Sequence, residues 1–310
     1  MPTFEANGIS IHFEQQGART DPPLLLLHGI GCQLVQWPQQ FIDGLTARGL
    51  RVIYPDNRDV GLSGKLSAHG RVDLAQVMTA MGTGTPVDAP YSLADMAEDA
   101  RTLLDHLGLM DAHVLGVSMG GMIAQHLAIA HPERVRSLIS VMSSSGDPEL
   151  PAATPEAAAA LVAAPAGTDR ASLIAHQENV WNLIGGPRYH SSEEGIGKLA
   201  ARAIDRMVYP EGFARQLAAI VADGSRVTRL GGITAPTLVI HGDQDPLVPL
   251  AAGESTASAI PGATLEVVSG MGHDLPETLI PLLVEIIERF TERVERETAP
   301  TPDAAQGGPA

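Results

Sequence analysis

The 310 residues read as an α/β chain, a mostly parallel sheet flanked by helices. Short apolar runs such as Leu24–Leu27, Val135–Met142 and Pro236–Ile240 lack polar alternation, as expected of strands buried on both faces. Segments with helical spacing lie between them, so strand and helix alternate along the chain. A fourth run, His113–Val117, drives into Gly116-Val117-Ser118-Met119-Gly120-Gly121, where a strand must turn sharply into a helix. In sheets of this kind ligands gather at the carboxyl ends of the strands.

Taken in order, Ile9, Ile11 and Phe13 alternate with Ser10, His12 and Glu14, which predicts a half-buried hairpin over Thr3–Gln15 turned at Asn7-Gly8. Pro22-Pro23 introduces the Leu24–Leu27 strand, which ends in His28-Gly29-Ile30-Gly31. A helix over Pro38–Arg48, a strand over Arg51–Tyr54 and a polar loop over Pro55–Gly64 follow. Ser92 is an N-cap for a helix reaching Leu107, with Asp95 adding negative charge to its first turn. The helix after Ser118 is expected over Met119–His131 and the next strand over Val135–Met142. From Gly146 to Leu230 the chain turns alanine-rich and helix-like, broken by Pro151, Pro155, Pro165, Pro187 and Pro210. Strand character resumes at Pro236–Ile240 and Ala263–Val268, and an amphipathic helix spans Leu279–Val294. The expected organisation is a core of residues 1–145 and 231–296, a helical cap of residues 146–230, and a disordered tail of residues 297–310 with no apolar periodicity. No internal repeat is visible.

Hydrophobic content of 44% with 18% charged residues suits a globular enzyme. The formal charge of −16 argues against nucleic acid and anionic membrane surfaces as partners, because both demand clustered Lys and Arg. No apolar run of spanning length and no basic-then-apolar leader is seen, and the one cysteine, Cys32, rules out an internal disulfide framework. These features predict a cytoplasmic protein, monomeric or a homodimer. None of the 11 histidines falls in a metal-binding motif, so neither metal nor cofactor is expected.

A serine hydroxyl is a weak nucleophile at neutral pH and needs a general base, which in turn needs an orienting acid. Ser118 is the nucleophile candidate. His273, in Ser269-Gly270-Met271-Gly272-His273-Asp274 after the last strand, is the base. The acid should follow the preceding strand, where His241-Gly242-Asp243-Gln244-Asp245-Pro246 offers two carboxylates. Asp245 is preferred, because Asp243 sits closer to the strand end and caps the turn, while Pro246 can start the next helix. Asp147, one strand earlier, is the alternative acid.

Four motifs, His28-Gly29, Asp56-x-Arg58-x-x-Gly61-x-Ser63, the Ser118 elbow, and Asp245 with Gly272-His273, resemble those of the α/β-hydrolase superfamily from about residue 3 to 294. The resemblance implies an eight-stranded sheet with the cap inserted after the sixth strand. Trp37-Pro38 and Asn57-Arg58-Asp59 are most similar to the aclacinomycin methylesterase group of small-ester hydrolases, although many relatives carry glycine where Asp59 stands. It further implies an oxyanion hole at the backbone N–H groups of Met119 and Ile30, which would face the charge of a tetrahedral intermediate. Lipase-type relatives have a longer glycine run than Gly29-Ile30-Gly31-Cys32.

Among the remaining residues, His28 is read as a brace for the oxyanion loop, Asp59 as a loop-bracing carboxylate and Cys32 as a small buried thiol. Trp181, Met207, Tyr209 and Leu247 are candidate substrate contacts, against a purely structural reading of each. The expected activity is hydrolysis of small to medium carboxylic esters through an acyl-enzyme. Alternatives are lactone opening, perhydrolysis or C–C cleavage by the same triad, and a ligand-sensing receptor that no longer turns over. Aspartate-nucleophile dehalogenase and epoxide hydrolase chemistry does not match a serine at position 118.

Overall fold

The computed structural model describes residues 2–298. Eight strands, β1 (Thr3–Ala6), β2 (Ile9–Gln16), β3 (Pro23–Leu27), β4 (Arg51–Pro55), β5 (Ala112–Val117), β6 (Val135–Val141), β7 (Thr237–Gly242) and β8 (Thr264–Val268), form one sheet. Its order is β1-β2-β4-β3-β5-β6-β7-β8, antiparallel at β1–β2 and β2–β4 and parallel elsewhere. Asn7 and Gly8 both have positive φ (47° and 73°), the turn chemistry that a two-residue hairpin requires between β1 and β2.

The helices of the first half are α1 (Gln39–Ala47), α2 (Leu74–Thr83), α3 (Leu93–His106) and α4 (Met119–Ala130). Between β6 and β7 lie α5 (Pro155–Val162), α6 (Arg170–Ile184), α7 (Glu193–Arg206), α8 (Pro210–Asp223) and the short α9 (Val227–Leu230). Helices α10 (Leu250–Ala259) and α11 (Ile280–Thr298) complete the chain. The unbroken leucines of β3 have a simple cause. Leu25 and Leu27 face a core shared with α3 and α4, while Leu24 and Leu26 face a second core with α1 and α11, so neither face tolerates a polar residue. Ser92 and Asp95 form the reciprocal cap of α3, Asp95 N–H donating to Ser92 Oγ at 3.1 Å and Ser92 N–H to Asp95 Oδ2 at 2.8 Å.

Two expectations are corrected. Pro246 starts no helix; α10 begins at Leu250, because the chain from Pro246 to Val248 first folds around the Asp245 carboxylate. Glu297 and Thr298 are the last turn of α11 rather than tail, continuing a helix whose Val294 is fully buried; residues 299–310 of the expected tail lie outside the described residues. Helix α2 went unread, although Asp73 caps it by accepting from Ala75 N–H at 2.9 Å and Gly84 closes it in the left-handed region.

Both ends of the β6–β7 insertion are gathered at one buried guanidinium. Arg226 donates to Ser144 O and Gln125 Oε1, both at 2.8 Å, and pairs with Asp223, while its own N–H bonds Ser145 O. A Cβ on Gly146 would lie 2.3 Å from Gly224 O, so the entering and leaving strands of chain touch there. Among the described residues no helix is long and apolar enough to cross a membrane, and no group of three or more His, Cys, Asp or Glu is arranged to hold a metal ion.

Candidate active site

The strand order reverses direction between β3 and β5, whose ends (Leu27 beside Gly116) stand next to each other. That is where a parallel sheet opens a crevice. Ser118 sits at the tip of β5 with φ 53° and ψ −121°, a strained conformation for a residue with a side chain. The turn exists because its neighbours are glycine. A Cβ on Gly116 would lie 2.1 Å from Gly120 O, one on Gly120 2.0 Å from Leu27 O, and one on Gly121 2.5 Å from Ser143 Cβ. Ser143 Oγ donates to Ser118 O at 2.7 Å and fixes the turn from β6.

His273 reaches Ser118 from the loop after β8, its Nε2 3.0 Å from Ser118 Oγ. Its Nδ1 lies 2.7 Å from Asp245 Oδ2. A carboxylate can only accept, so Nδ1 carries the proton and Nε2 is left to accept from the serine hydroxyl. Asp245 is fully buried, and its other oxygen accepts from Leu247 and Val248 N–H at 2.9 and 2.8 Å. Asp147 instead accepts from Glu149 N–H at 3.0 Å, so of the two carboxylates considered it is Asp245 that meets the imidazole. Asp243 bridges the loops, accepting from Gly270 N–H at 2.6 Å. Neighbouring His241 donates to Val248 O at 2.8 Å, and burial lowers its pKa, which keeps a second positive charge away from Asp245.

Gly29 brings the loop after β3 against the serine, since a Cβ on it would lie 3.4 Å from Ser118 Cβ. Neither the Ile30 N–H nor the Met119 N–H has a hydrogen-bond partner among the described residues, and Met119 opens α4, whose dipole favours negative charge. His28 is neutral, its pKa pushed down to about 3 by burial, and its Nδ1 accepts from Gly29 N–H at 2.8 Å while its ring packs 4.3 Å from Trp37. Burial pushes the Cys32 thiol up to about 12, so no thiolate forms there near neutrality.

Of the four substrate-contact candidates, Tyr209 alone has its side chain engaged in hydrogen bonds among the described residues. The Tyr209 hydroxyl accepts from Arg215 Nη2 at 2.6 Å and shares a hydrogen bond with Ser67 Oγ at 2.9 Å, bracketing α8 to the loop before α2. The Met207 side chain is exposed, and its carbonyl accepts from Gln33 Nε2 at 2.8 Å. Leu247 contributes its N–H to Asp245, and Trp181 lies half-buried on α6. The Tyr209 hydroxyl is thus committed to holding the insertion.

Sequence reasoning missed the residues through which the insertion grips the site. Ile184 O, at the end of α6, accepts from His273 N–H at 2.7 Å. Arg206 pairs with the buried Asp56 at 2.7 Å, and Asp56 in turn accepts from Leu34 N–H at 2.7 Å. Arg215 meets Asp59 at 2.8 and 3.2 Å, and Gln216 accepts from Gly31 N–H at 2.8 Å. The available signal was Arg215-Gln216 in the middle of a helix, flanked by Phe213 and Leu217.

The model of the alpha/beta hydrolase fold matches residues 22–278. The chain belongs to this family. Among curated relatives of this hydrolase-fold chain, rhodomycin D methylesterase of a Streptomyces species is 29% identical over 298 residues, covering 89% of this chain and 93% of its own. The 2-hydroxymuconate semialdehyde hydrolase of Pseudomonas putida is 30% identical over 279 residues, covering 88% and 85%. The crystal structure of a hydrolase from Pseudomonas aeruginosa superimposes with a TM-score of 0.66 at 25% identity, covering 94% and 97%.

Proposed function

We propose that the protein is a cofactor-independent carboxylesterase acting on small to medium esters, with Ser118 as nucleophile, His273 as general base and acid, and Asp245 as the orienting carboxylate. The line of contacts Ser118 Oγ, His273 Nε2, His273 Nδ1 and Asp245 Oδ2, at 3.0 and 2.7 Å, carries this reading. Likeness to a methylesterase over most of both chains supports the ester as substrate.

In the proposed cycle His273 takes the Ser118 proton as Oγ attacks the ester carbonyl. The carbonyl oxygen becomes an oxyanion facing the N–H groups of Ile30 and Met119, each such donor worth about 3–4 kcal/mol of barrier in a dry site. As the C–O bond breaks, His273 passes its proton to the departing alkoxide, which leaves as alcohol. Water then gives a proton to His273 and its hydroxyl to the acyl carbon; the acyl C–Oγ bond breaks, His273 returns the proton to Ser118 Oγ, and the acid is released. Residues 146–230 form the cap that closes over this crevice.

The 30% identity to a semialdehyde hydrolase supports a second reading, C–C cleavage by the same triad. A panel of p-nitrophenyl and methyl esters, lactones, amides and a vinylogous diketone distinguishes the two. The expected result is ester turnover that falls by at least about 10³-fold in Ser118→Ala. Turnover confined to the diketone would replace the ester reading, and a variant keeping most of its ester turnover would remove Ser118 as nucleophile.

A further inference from the structure

We infer that Gln216, a residue of the insertion, is a positioning residue for the oxyanion hole: its side-chain amide fixes the turn that presents the Ile30 N–H to the reacting carbonyl. The inference rests on the proposed ester chemistry of Ser118.

The loop after β3 turns over residues 29–32, closed by Cys32 N–H donating to Gly29 O at 3.3 Å. Gly31, third in the turn, has φ +67°, while Ile30 keeps an ordinary negative φ. That combination defines a type II turn, which differs from type I by a half-rotation of the peptide joining its two central residues. The N–H on that peptide is Gly31 N–H, and it donates to Gln216 Oε1 at 2.8 Å. Rotating the peptide would lose this bond and turn the Ile30 carbonyl toward the acceptor oxygen. Gln216 thus selects one turn type, and with it ψ of Ile30 and φ of Gly31, anchoring the turn immediately after the peptide that carries the Ile30 N–H.

Gln216 is itself held. Its Nε2 donates to Arg58 O at 2.9 Å, which fixes the sense of the amide, because Gly31 needs an acceptor and Arg58 O a donor. The side chain is fully buried, and the preceding residue, Arg215, is locked to the buried Asp59. Two adjacent polar side chains projecting from α8 into the protein interior are costly unless satisfied, and both are. From the other side of the loop, Asn57 Nδ2 donates to His28 O at 3.1 Å and Gln33 Nε2 donates to Ala203 O at 2.8 Å, so core and insertion clamp the turn between them. Phe213 lies against it too, since a Cβ on Gly31 would come within 3.1 Å of Phe213 Cδ2. The oxyanion loop is therefore complete only when α8 is docked.

The test compares Gln216→Met, of similar length with no donor and only a weak acceptor, with the parent enzyme; Gln216→Ala serves if the methionine variant does not fold. Three readouts are taken on p-nitrophenyl acetate: kcat, KM, and inhibition by an alkyl trifluoromethyl ketone, whose adduct with Ser118 carries an oxyanion. The expected result is a kcat loss of about tenfold or more, KM within about threefold, and ketone inhibition weakened by the same factor as kcat. Unchanged kcat and ketone affinity with a lowered melting temperature would make Gln216 merely structural and overturn the inference. So would a rise in KM alone. Ser118→Ala is run alongside; if it retained turnover, the triad reading would fail and this inference with it, whereas an inactive Ser118→Ala beside an unaffected Gln216 variant would overturn this inference alone.

Discussion

Asp274, next to the catalytic histidine candidate, is half-buried, with one carboxyl oxygen wholly shielded and little to support its charge. Its Oδ1 has no hydrogen-bond partner, and burial pushes its pKa up to about 7 from an ordinary 3.8. The consequence has a definite sign. Between about pH 4 and 7 the folded protein holds a proton that the unfolded chain has released, so stability falls as pH rises through this window. Below it both states are protonated, and above it the loss is complete. Asp274→Asn, neutral throughout, is expected to melt above the parent at pH 8, with the gap narrowing toward pH 4. A gap independent of pH in a series of thermal melts would contradict this. At the same scale the sequence was informative about Ser118, Asp245 and His273, because each sits one turn or loop past an apolar strand that marks itself. Asp274 could not be read that way, since its carboxyl lies against Gly185 of the insertion, nearly ninety positions earlier in the chain.

At the scale of elements, the elbow is a packing solution as much as a chemical one. Gly120→Ala would place a methyl group 2.0 Å from Leu27 O on the neighbouring strand, where backbone must move, whereas Gly82 in α2 has open space around it. We expect Gly120→Ala to lower the denaturation midpoint sharply or leave no soluble protein, overpacking alone costing about 1–3 kcal/mol. Gly82→Ala should match or slightly exceed the parent, by up to about 1 kcal/mol. Equal midpoints for the two variants in urea unfolding would refute the steric account. The sheet was legible because β3, β5, β6 and β7 are buried on both faces and so are dominated by apolar residues, without interruption in β3. The insertion was not, since its helices pack on one another only in part. In α6, for example, Ile184 alone is fully buried among 15 residues, which leaves no clear stripe to read.

At the scale of the molecule, insertion and core are joined by polar contacts between residues far apart in sequence. Arg215 and Asp59 are separated by 156 positions and Gln33 and Met207 by 174, and both pairs hold α7 or α8 to the loops beside Ser118. A sequence announces that Arg and Asp are present, but not which of 20 basic and 36 acidic residues meet. The exposed charge excess confers solubility, whereas these buried pairs fix geometry. The whole arrangement converges on one claim, that acyl transfer occurs on Ser118 Oγ. The most direct test is the intact mass of enzyme mixed with a p-nitrophenyl ester and acid-quenched within milliseconds, followed by peptide mapping. The account predicts a mass gain equal to the acyl group, located on Ser118 and missing from Ser118→Ala. An acyl group on another residue, or sustained ester turnover by Ser118→Ala, would contradict it.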